Sequence, residues 1–478
     1  MADIDKFDND EEPIRPGDRW EDDLRRFKEM LGNDGKDINS PEALEEIIQF
    51  YFEHERFDEA LSFCEKLISF EPFSADAWQR KGMILNNLFR YDDALSAYEK
   101  ALSLNPTDPE IFINRGITLD NLNRVEEALA SFDVALQLDP ANLDGIFHKG
   151  VTFEKQERFD EAADLFKKIL ETDPEHADAW YELGYSYDFL ERGEDSVKAY
   201  DEHLNRDPYN HNAWYNRGIV LNRMGRYADS VKSYEFAIAI KEEFPSAWYN
   251  LGNAQANLGQ LTEAVASYKK TLEFEPTDVP AWHNLGNAYE ELRQYQDAIA
   301  AFTSAIKHDE KHYESFFGRG SCWDALGQAK KALTDYQRGL EIFPEYPELW
   351  YARADAEYNL GRQDDALDSY RKVLELEPEN ADAWFDYGDT LLELGSVESA
   401  IQALDKSVSI RPDFGLAHFS IAKAAIARAE WERAEASLAK ALATQPDLRK
   451  DFQTLFPDLV HREPFTRLLE PAGRDGSA

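Results

Sequence analysis

Residues 247–276 read AWYNLGNAQANLGQLTEAVASYKKTLEFEP, and this stretch decides the fold. In its first half, Trp248 and Leu251 lie three positions apart, so a helix brings both side chains to one face. In its second half, three residues at intervals of four share a face in the same way: Ala264, Tyr268 and Leu272. Two amphipathic helices are therefore predicted within 30 residues of chain.

Small residues and proline indicate how these two helices pack and end. Gly252 and Ala264 are small enough for the helices to approach each other closely. Gly259 suits the left-handed backbone of a helix C-terminus. Pro276 ends the second helix because it has no N–H to donate and clashes with the preceding turn. The stretch predicts a helix–turn–helix pair.

The same pattern recurs every 34 residues. Tryptophan marks the phase, and extending that phase divides residues 41–448 into twelve repeats with no insertion or deletion. The tryptophans in phase are Trp78, Trp180, Trp214, Trp248, Trp282, Trp350 and Trp384. Most repeats also have glycine four positions later, alanine or serine twelve further on, and proline near the end. A period of this length is typical of stacked helical repeats.

These repeats resemble the tetratricopeptide repeat family; residues 281–306, AWHNLGNAYEELRQYQDAIAAFTSAI, are a second example close to its consensus. The resemblance implies an all-α fold, a right-handed superhelical solenoid of antiparallel helix pairs. In such a solenoid the first helices line a concave groove and the second helices form the convex back. Each repeat buries its apolar face only against its neighbours.

Two short segments flank the array. Residues 1–40 are acidic and include a predicted helix at about 20–31, with Trp20, Leu24, Phe27 and Leu31 on one stripe. That helix either caps the first repeat or docks into a groove. Residues 449–478 predict a capping helix and a mobile tail. The residues expected to pack there are Phe452, Leu455, Phe456, Leu459, Val460, Phe465 and Leu469.

The chain is strongly acidic, with a formal net charge of −42. Such a charge repels phosphate backbones and anionic membranes, so neither nucleic acid nor membrane is an expected partner. The acidity either recruits basic partners or adapts the surface to salt.

The two cysteines, Cys64 and Cys322, are predicted to be core residues, and so few cysteines fit a reducing compartment. The N-terminus lacks a signal peptide. We therefore expect a cytoplasmic protein.

The family resemblance also implies which residues face the groove. The fifth position of nine consecutive repeats is aromatic or histidine. Asparagine recurs at the sixth position of repeats six to eight and at the ninth position of repeats seven and eight. The predicted peptide-binding residues are Asn216, Asn250, Asn284, Asn253, Asn287, Tyr215, Tyr249, His283, Tyr181 and Tyr351. An asparagine row can pair with the backbone of an extended peptide through water-facing amides. The alternative is that these consensus residues only support packing.

The charge of the residues predicted to line the groove indicates what kind of peptide it binds. The second position is acidic in eight repeats, which favours partners with basic or aromatic-containing peptide segments. In this family, a carboxylate clamp holds the acidic tails of chaperones with lysine and arginine around paired asparagines. Asn253 and Asn287 fit the paired asparagines, but Tyr249, Glu314 and Gly318 occupy the cationic positions. Chaperone-tail binding by this route is not expected.

The sequence contains none of the common motifs for catalysis, cofactors or metals. His308 and His312 have the spacing of metal ligands, but a surface pair is the simpler interpretation. The predicted function is a non-enzymatic scaffold that binds an extended peptide segment in its groove. The alternatives are an assembly protein that oligomerises through its outer surface or caps, and an accessory subunit of an enzyme complex.

Overall fold

A computed structural model describes residues 40–469, and the predicted helix at about 20–31 lies outside them. Residues 40–220 (the N-terminal block) and residues 221–469 (the C-terminal block) form two compact units. The helices are α1 Pro41–Glu53, α2 Phe57–Phe70, α3 Ala75–Asn87, α4 Tyr91–Leu104, α5 Pro109–Asn121, α6 Val125–Leu138, α7 Leu143–Lys155, α8 Phe159–Thr172, α9 Ala177–Phe189, α10 Gly193–Arg206, α11 His211–Arg223, α12 Tyr227–Ile240, α13 Pro245–Asn257, α14 Leu261–Phe274, α15 Val279–Glu291, α16 Tyr295–His308, α17 Tyr313–Ala325, α18 Ala329–Ile342, α19 Pro347–Asn359, α20 Gln363–Leu376, α21 Ala381–Glu393, α22 Val397–Ile410, α23 Gly415–Ala427, α24 Trp431–Thr444, α25 Leu448–Leu455 and α26 Phe465–Leu469.

The 34-residue period corresponds to one helix pair per repeat, so odd-numbered helices up to α23 are first helices and even-numbered helices up to α24 are second helices. Within each block, neighbouring helices pack in chain order, and the residues between 40 and 469 form no strand. The all-α fold of paired helical repeats is confirmed.

Most first helices begin at a polar N-cap whose side chain accepts a backbone hydrogen bond. Asn142 Oδ1 accepts from the Gly145 N–H at 2.9 Å, and Asp278 Oδ1 accepts from the Ala281 N–H at 2.8 Å. In two repeats the cap is histidine: His176 Nδ1 and His312 Nδ1 each lie near the backbone nitrogen three residues on, at 3.1 and 3.3 Å. These caps satisfy N–H groups that have no partner within the helix.

The recurring tryptophan and proline are explained by one hydrogen bond. In each case the indole Nε1–H donates to the carbonyl oxygen six residues earlier; Trp282 donates to Pro276 at 2.9 Å and Trp384 to Pro378 at 2.9 Å. Trp248 makes the same bond to Glu242, which replaces the proline. The bond ties each first helix to the end of the preceding repeat.

The turn between the two helices of a pair contains a left-handed residue, as predicted at Gly259, where φ is +73°. In several repeats a residue other than glycine occupies this position, including Glu157 and Phe89. The short turn brings the paired helices together around the small residues at the interface.

The C-terminal segment packs on the last pair, but its helix is shorter than predicted. Helix α25 ends at Leu455 because Phe456 precedes Pro457, and the residue before a proline is driven out of the helical conformation. Phe452 and Phe465 are fully buried together, with ring centroids 5.4 Å apart. Leu455, by contrast, is more than half exposed and does not contribute to the core.

Candidate functional site

The predicted aromatic and asparagine positions pair with each other across neighbouring repeats. In the N-terminal block, Asn216 Nδ2 on α11 donates to the Tyr181 hydroxyl on α9 at 2.9 Å. In the C-terminal block, Asn284 Nδ2 on α15 donates to the Tyr249 hydroxyl on α13 at 3.0 Å. Each bond joins the first helices of two consecutive repeats. The expectation that these amides face only water in the free protein is therefore wrong for Asn216 and Asn284.

Asparagine side chains in the C-terminal block form a small network in which some amide atoms keep unused hydrogen-bonding capacity. Asn284 Nδ2 also donates to Asn253 Oδ1 at 3.0 Å, and that oxygen accepts a second bond from the Tyr268 hydroxyl at 2.8 Å. Both amide hydrogens of Asn284 are thus used, whereas its Oδ1 atom can still accept. Asn253 has the complementary capacity, because its Nδ2 group can still donate.

His283 and Asn287 interact with each other and with the following repeat. Asn287 Nδ2 lies 3.1 Å from His283 Nε2, and His283 Nδ1 lies 3.1 Å from Ser315 Oγ. Burial lowers the pKa of His283 to about 4, with the nearby His312 adding to the effect. The imidazole is therefore neutral near pH 7.

The other predicted residues also lie on first helices. Tyr215 is half-buried on α11 and Asn250 is half-buried on α13. The Tyr351 hydroxyl on α19 donates a hydrogen bond to Asp386 on α21. This bond joins the same positions of consecutive repeats as the Tyr–Asn bonds do, but here the tyrosine donates and a carboxylate accepts. No side chain of the predicted set is fully buried.

An acidic pocket lies between α19 and α21, and the site prediction missed it. The pocket has a volume of about 300 Å³, and its lining residues are Asp355, Tyr358, Asn359, Tyr370, Asp386, Asp389 and Thr390. Asp355 Oδ1 accepts from the Tyr370 hydroxyl at 2.6 Å, and Asp389 Oδ1 accepts from Lys423 Nζ at 3.1 Å. Acidic residues recurring at the ninth position were visible in the sequence, but not that they meet in one concavity.

Two of the pocket carboxylates, Asp355 and Asp386, accept from tyrosine hydroxyls and form no ion pair with any described residue, whereas Asp389 pairs with Lys423. Burial raises the pKa of Asp386 to about 6, and the negative charges of Asp355, Asp382 and Asp389 add to the effect. Burial likewise raises the pKa of Asp355. A cation entering the pocket would stabilise the ionised form of both groups.

Two glutamates form an unusual pair in the N-terminal block. Glu154 on α7 is 8% exposed and accepts a hydrogen bond from Ser186 Oγ at 2.6 Å. Its carboxyl group also hydrogen-bonds to Glu182 on α9, and burial together with that neighbouring charge raises the pKa of Glu154. Burial is the main cause that raises the pKa of Glu182 as well. A hydrogen bond between two carboxyl groups requires a proton on one of them, so the pair shares one proton in this arrangement.

The histidines with metal-like spacing do not form the surface pair that the sequence predicted. His308 is exposed, whereas His312 is half-buried against His283, with ring centroids 5.0 Å apart. Within residues 40–469, no group of three or more histidine, cysteine, aspartate or glutamate side chains is placed to hold a metal ion. Over the same range, every helix is too short or too polar to cross a bilayer.

Models described as "Tetratricopeptide repeat" match residues 75–108, 97–130, 149–211, 245–278, 283–347 and 351–413. A further model described as "TPR repeat" matches residues 220–259. Together the matched ranges cover more than half of the chain. No curated protein matches the chain significantly.

Several solved structures are similar to parts or most of the chain. YrrB, described as a TPR protein with an unusual peptide-binding site, is 28% identical over 40% of this chain and 98% of its own, with a TM-score of 0.36. A MamA protein is 22% identical over 36% of this chain and 94% of its own, with a TM-score of 0.34. The anaphase-promoting complex (APC/C) hetero-tetramer Cut9-Hcn1 is 17% identical over 95% and 94% of the two chains, with a TM-score of 0.40.

Proposed function

Because this chain belongs to the tetratricopeptide repeat family, whose fold serves protein–protein interaction, we propose that it is a non-enzymatic scaffold binding extended, basic peptide segments. The binding surface is the exposed face of the first helices. The observation that supports this proposal most directly is the pair formed by Asn284 and Asn253, with one free acceptor and one free donor side by side.

A peptide backbone presents the complementary groups. Its N–H can donate to Asn284 Oδ1, and its carbonyl oxygen can accept from Asn253 Nδ2. These bonds do not depend on the peptide's side chains, so they hold an extended segment without reading its sequence. Half-buried rings beside the amides, such as Tyr249 and His283, add contact area at little entropic cost.

Side-chain selectivity comes from the acidic pocket between α19 and α21. A lysine or arginine side chain of the ligand would pair with Asp355 and Asp386, whose ionised forms are disfavoured by burial in the free protein. Tyr358, which is partly exposed at the pocket, offers a ring face to a cation. The ligand is therefore an extended segment with at least one basic side chain.

Selection of a phage-displayed library of random linear peptides on the immobilised full-length chain tests this function. We expect the selected peptides to be enriched in lysine and arginine. Recovery of no binding peptide, together with self-association of the chain in light scattering, would instead favour the assembly alternative.

Neutralising the pocket with Asp355→Asn and Asp386→Asn should weaken binding of a selected peptide about ten-fold, since two carboxylates in a partly desolvated pocket would face its cation. The matched control is Asp364→Asn with Asp365→Asn, which removes the same charge from exposed positions of α20. Isothermal titration calorimetry measures both. Equal weakening by the two double variants would show that only net charge matters and that the pocket is not used.

Replacing Asn284 with alanine should cost stability as well as affinity. The substitution removes the bonds to Tyr249 and Asn253, so local opening of α13–α15 should become easier by about 1–2 kcal/mol. Peptide affinity should fall by a further factor of about three to ten, from the lost acceptor. Hydrogen exchange and calorimetry separate the two effects, with the exposed Gln296→Ala as control. Unchanged affinity in the folded variant would reduce the asparagine to a packing role.

A further inference from the structure

A buried serine hydroxyl connects two histidines in the C-terminal block. Ser315, on the first turn of α17, is fully buried, and its Oγ atom lies 3.1 Å from His283 Nδ1 and 2.9 Å from His312 Nδ1. Asn287 Nδ2 approaches the other ring nitrogen of His283 at 3.1 Å. These contacts link four side chains in one continuous hydrogen-bonded series that runs from α15 to the start of α17.

The helix cap determines which nitrogen of His312 holds the proton. The backbone N–H of Ser315 is shared between the His312 carbonyl oxygen at 3.2 Å and His312 Nδ1 at 3.3 Å, and Nδ1 accepts it only when unprotonated, with the hydrogen of neutral His312 on Nε2. The Ser315 hydroxyl can donate to the same nitrogen. His283 then donates from Nδ1 to Ser315 and accepts at Nε2 from Asn287. Each of these contacts joins a donor to an acceptor only when both imidazoles are neutral.

Charged groups near these four side chains favour a different arrangement once His312 is protonated. Glu314 Oε2 lies 3.7 Å from His312 Nδ1, close enough to pair with an imidazolium. Glu314 also favours, and His312 opposes, a positive charge on His283. The Phe302 ring from α16 packs against His283 and offers no charge. A proton therefore has an acceptor at His312 Nδ1 and a carboxylate beside it.

We propose that this series of four hydrogen-bonded side chains is an acid-sensitive lock on the first turn of α17. A proton added at His312 Nδ1 removes the side-chain cap of the helix, and the imidazolium turns to Glu314. The Ser315 hydroxyl then loses its acceptor, and the oxygen that accepts from His283 is no longer held in one position. The effect on peptide binding rests on the function proposed above, because His283 and Asn287 belong to the predicted binding face. The structural change itself does not depend on any ligand.

Hydrogen exchange of the full-length chain at pH 7.5 and pH 5.5, corrected for intrinsic rates, tests the lock without a ligand. Amides of the first turn of α17 should lose about five-fold in protection at the lower pH, the loss expected of a missing N-cap. His312→Asn should abolish that loss. Asparagine caps α21 in this same protein, where Asn380 Oδ1 accepts from the Ala383 N–H at 2.9 Å, and it does not titrate.

His176→Asn is the matched control, because His176 caps α9 without a serine–histidine chain. It should leave the acid response of α17 intact. The proposal is overturned if His312→Asn responds to acid as the parent does, or if the parent does not respond. Histidine ¹⁵N shifts of the parent at pH 7.5 give a second, independent measurement: an Nδ1–H tautomer for His312 contradicts the lock.

Discussion

Replacing Phe302 with alanine should lower the free energy of local unfolding around α15–α17 by about 3–5 kcal/mol. The Phe302 ring is fully buried and lies between two helix backbones at glycine positions. A Cβ atom on Gly286 would be 2.6 Å from the ring, and one on Gly318 would be 2.5 Å from it. The ring therefore fills the space directly between these two glycines.

Substitution leaves a cavity that the structure cannot easily close. Cavity cost depends on how far neighbouring atoms collapse into the space, and both facing positions are glycines with no side chain to move. Phe73→Ala is the control, because Phe73 is 81% exposed and its loss should change stability by less than about 0.5 kcal/mol. Hydrogen exchange of α15–α17 and urea unfolding measure the difference. A cost near that of the control would mean that the helices close around the vacancy.

Replacing Glu154 with glutamine should stabilise the N-terminal block at alkaline pH, by about 1–3 kcal/mol at pH 8. The raised pKa values of Glu154 and Glu182 mean that the folded state binds more protons than the unfolded state. Stability contributed by the shared proton is therefore present at low pH. It is lost as pH rises above the ordinary glutamate range through the folded-state values.

Glutamine reproduces the protonated form permanently. Its amide can donate to Glu182 as the shared proton does, and its Oε1 can still accept from Ser186. Amide exchange of α7 and α9 between pH 5 and pH 9 should show falling stability in the parent and a flatter profile in the variant. Glu171→Gln, at an exposed site on α8, should behave as the parent does. A variant less stable than the parent at pH 8 would contradict a shared proton.

The sequence by itself determined the repeat, the family and the contacts between residues at short, fixed spacings along the chain. The reason is that these features depend on spacing within about 34 residues of one chain. Trp282 bonds to Pro276 six positions earlier, and Gly259 takes the left-handed turn predicted for it. A single residue type at a fixed offset is sufficient to specify each of these contacts.

Only the tertiary structure decided what the polar residues of the first helices contact. Asn284 meets Tyr249 from 35 positions away, and Glu154 meets Ser186 from 32. Whether a half-buried amide or carboxyl faces a ligand or a neighbour depends on side-chain directions on two adjacent helices, which the repeat period does not encode. The same holds for Ser315, whose hydroxyl lies between two imidazoles because packing brings α15 against the start of α17.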